Sequence, residues 1–252
     1  MAFLVFQLQA PLAAWGDTAV GEYRGSQNWP GESALVGMLG AALGIRREDD
    51  AAHMALSRGY GFAVGVLSQG ALLRDYHTAQ VPGRAALKKR PHATRRDELA
   101  VPKDELHTIL STRDYRQNVG YLTAVQPLAD APHDLPALAA ALTRPQFVLY
   151  LGRKSCPPAA PLHPKIIEAE SALTAFETYR EQLASSLAEQ TDRWGRPLLE
   201  SPARLERLVW GDGVMAGTPA DLTAPRKDRI IRRGGWQFGD RTEHVAILAG
   251  EG

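Results

Sequence analysis

The sequence predicts an α+β fold. Its body is a ferredoxin-like, RRM-like sheet with two helices on one face, interrupted by a protruding basic insertion and followed by a β-rich extension. Three observations carry this. Strand and helix patterns alternate as β-α-β-β, insertion, β-α-β across residues 1–151, so two β-α-β halves remain once the insertion is set aside. Residues 79–118 lack core periodicity and are rich in cations. After Pro164 short strand patterns predominate. The division expected is a body of residues 1–78 and 119–252 around an insertion of residues 79–118.

Phe3 to Gln9 reads as a strand in which Phe3, Val5 and Gln7 alternate with Leu4, Phe6 and Leu8. Being apolar on both faces, it belongs at the centre of its sheet. Ala10 to Pro30 is irregular and rich in glycine and tryptophan. Ser33 reads as the N-cap of a helix from Ala34 to Leu43, with Gly44 as its C′ stop. Gly37 and Gly40 each cost that helix about 1 kcal/mol relative to alanine, which points to close packing on a sheet or on a ligand backbone. Arg46 to Asp50 is a charged connection before a short helix near Ala51 to Ser57. Tyr60 to Leu67 and Ala71 to Thr78 are strands joined by the turn residues Ser68-Gln69-Gly70. In the insertion, Leu106 to Thr112 reads as a strand returning to the body. Val119 to Val125 is a strand, Asp134 caps a helix from Leu135 to Leu142, Pro145 ends it, and Gln146 to Leu151 is the strand that closes the second half. Further on, Ile166-Ile167 is a short strand. Ser171 caps a helix with Leu173, Phe176, Leu183 and Leu187 on its apolar side, and Thr191 to Pro202 is a polar break. Leu205 to Trp210, Arg229 to Ile231 and Val245 to Leu248 are strands.

Composition narrows the function. The 252 residues carry a net charge of +1, so no global field draws nucleic acid and a basic site has to come from local clustering. A lone cysteine excludes an intramolecular disulfide and a cysteine-based zinc site, and fits a reducing cytoplasm. The seven histidines show no HxxxH or HExxH spacing, so no metal is expected, and no cofactor is called for. The start lacks a signal-peptide pattern, and no apolar run approaches the roughly 20 residues that span a bilayer. A cytoplasmic protein is expected.

Three basic clusters stand out. Arg84 to Arg96 holds six cations and no acid; Arg153-Lys154 follows a strand pattern; and Ala224 to Arg241 holds six cations against Asp228 and Asp240. Tyr150, Trp236 and Phe238 accompany the latter two. Cations beside stackable rings suit single-stranded RNA, whose phosphates take the charge and whose splayed bases take the rings. The competing reading of each cluster is a solvated face beside core aromatics. In Tyr150-Leu151-Gly152-Arg153-Lys154-Ser155-Cys156-Pro157, a glycine turn displays two cations beside backbone N–H groups, which suits a phosphate. Cys156 has no evident base and reads as a small buried thiol. In Asp75-Tyr76-His77-Thr78, His77 is a candidate general base and Tyr76 a candidate activator of a ribose 2′-hydroxyl, against the commoner role of a hydrogen-bonding or stacking pair.

Several stretches, in order, resemble one family. They are Leu12-Ala13-Ala14-Trp15-Gly16; Ser33-Ala34-Leu35-Val36-Gly37-Met38-Leu39-Gly40-Ala41-Ala42-Leu43-Gly44-Ile45; Leu73-Arg74-Asp75-Tyr76-His77-Thr78; Tyr150 to Pro157; and, more weakly, Gln237-Phe238-Gly239-Asp240-Arg241. On these the chain resembles the CasD family, the fifth Cas-protein family of the RAMP superfamily and a subunit of the type I-E CRISPR Cascade complex. The resemblance implies a RAMP palm with a protruding thumb, binding of the 5′ handle of the crRNA, and capping of the backbone filament. The implied partners are the crRNA, the CasC backbone subunit, the CasA large subunit, CasB and CasE, with target DNA reached indirectly or through the thumb. No nuclease role is implied, although the type I-C relative cleaves repeat RNA, which leaves a metal-independent endoribonuclease as the alternative. The residues expected at RNA are Trp15, Gly16, Arg24, Ser33, Arg74, Tyr76, His77, Thr78, Tyr150, Gly152, Arg153, Lys154, Ser155 and Cys156. Those expected to meet RNA or a partner from the thumb are Lys88, Lys89, Arg90, Arg95, Arg96 and Arg113. Pro82 to Asp104 and Leu183 to Glu206 look longer than the family pattern, so no contact is carried over to them.

Overall fold

A computed structural model describes residues 1–17, 19, 21–88, 90, 92–188, 204–232 and 237–248, with side chains placed to residue 186 in the third of the long stretches. In chain order the elements are β1 (Ala2–Ala13), β2 (Trp15–Gly16), β3 (Tyr23–Arg24), β4 (Ser26–Gln27), α1 (Glu32–Leu43), α2 (Asp50–Gly59), β5 (Tyr60–Ser68), β6 (Ala71–Pro82) and α3 (Arg95–Leu99). There follow β7 (Leu106–Pro127), α4 (Leu135–Thr143), β8 (Lys165–Glu168), α5 (Ala172–Ala188), β9 (Arg207–Gly211), β10 (Leu222–Arg232) and β11 (Gln237–Ile247).

One large sheet runs β10-β11-β9-β5-β7-β1-β8, with β6 and β3 also paired to β7. Every pairing in it is antiparallel except the short β3–β7 contact. Its middle, β8-β1-β7-β5, joins through α1 and α4 in β-α-β-β-α-β order. β1 is central, as its two apolar faces require. Leu4, Phe6 and Leu8 enter the core under α1 and α4, while Phe3 and Val5 enter a second core. That second core is the main addition to the expected architecture. Phe176, Tyr179 and Leu183 of α5 pack on Phe3, Val5, Leu122 and Ala124, so α5 covers the opposite face of the central strands.

The caps explain most boundaries. Asp134 accepts the Ala137 N–H at 2.8 Å, Ser171 Oγ accepts from Thr174 at 3.2 Å, and Gly44 closes α1 at φ 80°. The start of α1 differs from expectation. Ser33 is not its cap: the helix begins at Glu32 behind Gly31, and the Glu32 N–H is capped from across the molecule by Asp228, at 2.8 Å. Gly40 serves packing between helices, since a Cβ there would lie 2.8 Å from the His53 ring of α2.

Two strand assignments also change. Gln146 to Leu151 is not a strand. The N–H groups of Gln146 and Phe147 donate to the Ala42 and Ala41 carbonyls, satisfying the C-terminal end of α1. The place beside β1 goes instead to β8, with Phe3 opposite Ile167. The strands read separately at Leu106 to Thr112 and Val119 to Val125 are one 22-residue strand, β7. Its inner part lies between β1 and β5; its outer part pairs with β6 from Ala71–Gln117 to Pro82–Leu106. Asn118, at φ 56°, marks the change between them. β10 and β11 are longer than read and form a hairpin beside β9. The polar break Thr191 to Pro202 lies outside the described residues. Among the described residues, no helix is long and apolar enough to cross a membrane.

Candidate nucleic-acid interface

The loop after β1, the start of α1, the segment Val148–Gly152 and the β10–β11 hairpin enclose a groove of about 720 Å³. Its floor is the small-residue side of α1: Ser33, Ala34, Gly37 and Ala41. Trp15, Gly16, Tyr150 and Gly152 line it as well, together with Lys227 and Phe238 of the β10–β11 hairpin. Gly37 thus raises no side chain into the groove.

The glycine turn at the rim is held by the chain itself. Gly152 has φ 85°, and a Cβ there would sit 1.8 Å from the Ala14 carbonyl oxygen. The close approach read from the sequence is therefore to the β1–β2 connection. Around it, the Ala14 N–H donates to the Leu151 carbonyl at 3.0 Å, and the Leu151 N–H donates to the Cys156 carbonyl at 2.8 Å. Lys154 and Ser155 stand exposed on the resulting loop. Arg153 turns toward β7. Its guanidinium lies 4.7 Å from the centre of the Tyr115 ring and donates to the carbonyls of Asp114 at 3.2 Å and Arg24 at 3.1 Å. Those bonds fix the cation while leaving it half-exposed.

Cys156 and Trp15 require correction as contact residues. Cys156 is fully buried, and burial pushes its thiol up; its contribution is the carbonyl and N–H that close the loop. Trp15 is 1% exposed, with its ring edge-on to Tyr121 at 5.8 Å, so it supports the groove wall and offers no ring face to a base. Gly16, paired with Ser26, and Ser33 do border the groove.

The β6–β7 register divides the Arg74-Asp75-Tyr76-His77-Thr78 motif between two faces, because side chains alternate along a strand. Arg74, Tyr76 and Thr78 share a face with Thr112 and Asp114; Asp75 and His77 share the other with Ser111, Arg113 and Tyr115. On the first face Asp114 is a hub. It accepts Arg74 in two bonds of 2.9 and 3.1 Å and the Tyr23 hydroxyl at 2.6 Å. The Arg74 hydrogen bond, foremost, holds the Asp114 carboxyl below its ordinary value, while the bond to Asp114 raises the Tyr23 phenol. Arg74 is therefore a partner of the hairpin base as well as a surface cation. On the second face Arg24, paired in register with Arg113, joins His77 and Arg153. Since Gly152 lines the groove and Arg153 rests on Tyr115, this face continues the groove.

At the hairpin tip, Lys88 and Arg96 are exposed. Arg90 donates to the Ala100 carbonyl at 2.6 Å, and Arg95 pairs with Glu98 and reaches the Gln80 carbonyl. Lys89 lies outside the described residues, as do Arg233 and Trp236. The C-terminal basic cluster proves half internal. Arg241 is buried and Arg226 largely covered against Asp228 and Glu243, leaving Lys227, Arg229 and Arg232 exposed. Sequence reasoning missed that this hairpin is a groove wall. The available signal was the alternation Arg226, Asp228, Ile230 against Lys227, Arg229, Ile231.

A family profile described as CRISPR-associated protein (Cas_Cas5) matches residues 3–242. The chain belongs to the Cas5 family of CRISPR-associated proteins. It is 30% identical over 186 residues to CRISPR system Cascade subunit CasD of Escherichia coli (strain K12), a match covering 71% of this chain and 77% of that relative. Among solved structures, a chain of a CRISPR RNA-guided surveillance complex shares the fold with a TM-score of 0.60 and 23% identity, covering 97% of this chain and 89% of that one. A structure described as a Cas protein does so with a TM-score of 0.56 and 22% identity, over 98% and 94%. This Cas5 chain thus carries its groove and basic rim on a fold shared with a member of an RNA-guided assembly.

Proposed function

We propose that this Cas5 protein is a non-catalytic subunit of a type I-E Cascade complex, working in the cytoplasm, that holds the 5′ handle of the crRNA and caps the backbone filament. The central strands with α1 and α4 act as the RAMP palm, and the β6–β7 hairpin acts as the thumb. The observation that carries this reading is where single-stranded RNA has room. RRM modules stack bases on the open face of the sheet, but here α5 packs on that face. The accessible cations and the groove lie instead on one rim: Lys154 on the glycine loop, Arg153 on Tyr115, and Arg24 with Arg113 at the hairpin base. Phosphate contacts there position a strand without reading it. CasC would pack along the thumb, CasA, CasB and CasE would belong to the same assembly, and target DNA would be met indirectly or through the thumb.

The split of Tyr76 and His77 onto opposite faces of β6 favours binding over cleavage, because the two cannot converge on one 2′-hydroxyl. The test is a reconstitution with CasC and crRNA beside a repeat-RNA incubation in EDTA. Co-assembly with intact RNA is expected. Cleavage in EDTA that disappears in His77→Ala would establish the endoribonuclease instead. Charge reversal at Arg153 and Lys154 should weaken handle binding and flatten its salt dependence; unchanged binding would remove the loop from the site.

A further inference from the structure

The β10–β11 ladder slips by one residue: Arg226 pairs with Arg241, and Arg229 pairs with Gly239. Lys227 and Asp228 therefore stand opposite the single residue Asp240. Such a bulge twists a strand and re-aims its side chains. Here both neighbours line the groove, but Asp228 is buried in its wall while Lys227 is exposed.

The buried residue is locked. Asp228 accepts the Glu32 N–H at 2.8 Å and two bonds from Arg241 at 2.5 and 3.1 Å, with Arg226 Nε at 3.3 Å. Arg226 is held in turn by Glu243 at 2.7 Å and the Trp29 carbonyl at 3.2 Å. Gly31 makes room for the carboxylate, since a Cβ there would lie 2.1 Å from its Oδ2. The N-terminus of α1, an anion site in principle, is thus already filled by an anion of the chain. The groove's phosphate charge has to be met elsewhere. Lys227 lines the groove, is exposed, and pairs with no carboxylate among the described residues. Asp17, which also lines the groove, is not without a partner.

We propose that Lys227 contacts a phosphodiester of the single-stranded RNA in the groove, and that Asp228 is the positioning residue that holds it there. The proposal rests on the groove being the RNA site. It makes the C-terminal hairpin the second jaw of a grip whose first jaw is Gly152–Ser155.

The experiment measures binding of the full chain to a synthetic RNA of the handle sequence, by fluorescence anisotropy across a salt series. Lys227→Ala, a surface change, should leave the melting temperature unaltered, lower affinity several-fold, and reduce the salt slope by about 0.7, one single-strand phosphate contact. Lys154→Glu runs alongside. If it weakens binding while Lys227→Ala changes neither affinity nor slope, the second jaw is refuted and the RNA reading stands. If neither weakens binding, the groove reading itself fails. Asp228→Asn, checked for a folded melting transition, should also weaken binding, and combining it with Lys227→Ala should add little. Tighter binding by Asp228→Asn would overturn the proposal, because it would show RNA taking the vacated helix terminus.

Discussion

Replacing Gly152 with alanine separates two costs that usually come together. The left-handed backbone costs a residue with a Cβ about 1–2 kcal/mol. Gly152 also faces a backbone oxygen, with the new Cβ built 1.8 Å from Ala14 O and 2.7 Å from Ala14 C. Neither atom belongs to a side chain that can swing away. The loop has to move off β1, breaking the Ala14–Leu151 hydrogen bond of 3.0 Å. Leaving such buried groups unpaired costs about 1–3 kcal/mol more. Gly213 is the matched control: its φ is 81°, close to the 85° of Gly152, and a Cβ there meets nothing within 4 Å. Gly213→Ala should show the backbone cost alone. Gly152→Ala should melt lower than that control by about 2–12 °C, at roughly 2–4 °C per kcal/mol for a chain of this size. Thermal unfolding by circular dichroism of the two variants decides it. Equal melting temperatures would refute the claim that contact with Ala14 fixes the glycine.

Other outcomes follow from the same geometry. Trp15→Ala should cost about 3–5 kcal/mol, as truncation of a buried tryptophan does, and should appear as a lower denaturation midpoint in urea. Asp114→Asn should lose stability in a pH-dependent way. The folded carboxyl is depressed, chiefly by the Arg74 hydrogen bond, so its contribution is complete above the unfolded value of about 3.9 and is lost as pH falls through the lower folded value. The gap between wild type and variant should therefore be widest near neutrality and close in acid, which urea midpoints at several pH values would show. Removing the Asp134 cap by alanine should cost about 1 kcal/mol, measurable by the same titration.

Legibility in the sequence followed burial. β1, α1, β5 and α4 were readable because each has a buried face that imposes a period, and because Gly44 and Asp134 mark helix ends. The outer half of β7 was readable only in part: Leu106 to Thr112 stands out as a strand, but residues 113–118 carry no apolar alternation, so its continuity with Val119 to Val125 is set by the pairing with β6. Phe147 to Leu151 shows the converse error. Leu149 and Leu151 are buried, yet the segment spends its backbone donors on the end of α1. An apolar alternation reports sides, not ladder partners. At the candidate site, the glycine loop and its cations stood out by residue type. The burial of Trp15 and Cys156 did not, because a tryptophan beside a glycine looks alike in a wall and on a platform. Nor did the capture of α1 by Asp228, a contact spanning 196 residues that no local pattern announces.

β7 has a mechanical consequence. A hairpin joined to a domain by two loops can swing on them, but this one has a loop on its β6 side alone, since the strand that carries its other half is also a central beam of the sheet. The β6–β7 hairpin is a cantilever whose root is built into the wall: residues 119–125 are clamped between β1 and β5, and β3 braces the beam at Thr112 and Arg113. Stiffness should be greatest at the root and decline toward the far ends of β6 and β7, at Pro82 and Leu106. A load applied at the tip would be felt as torque on the core strands, so an assembly that grips the tip also orients the sheet, and with it the groove at the sheet's rim.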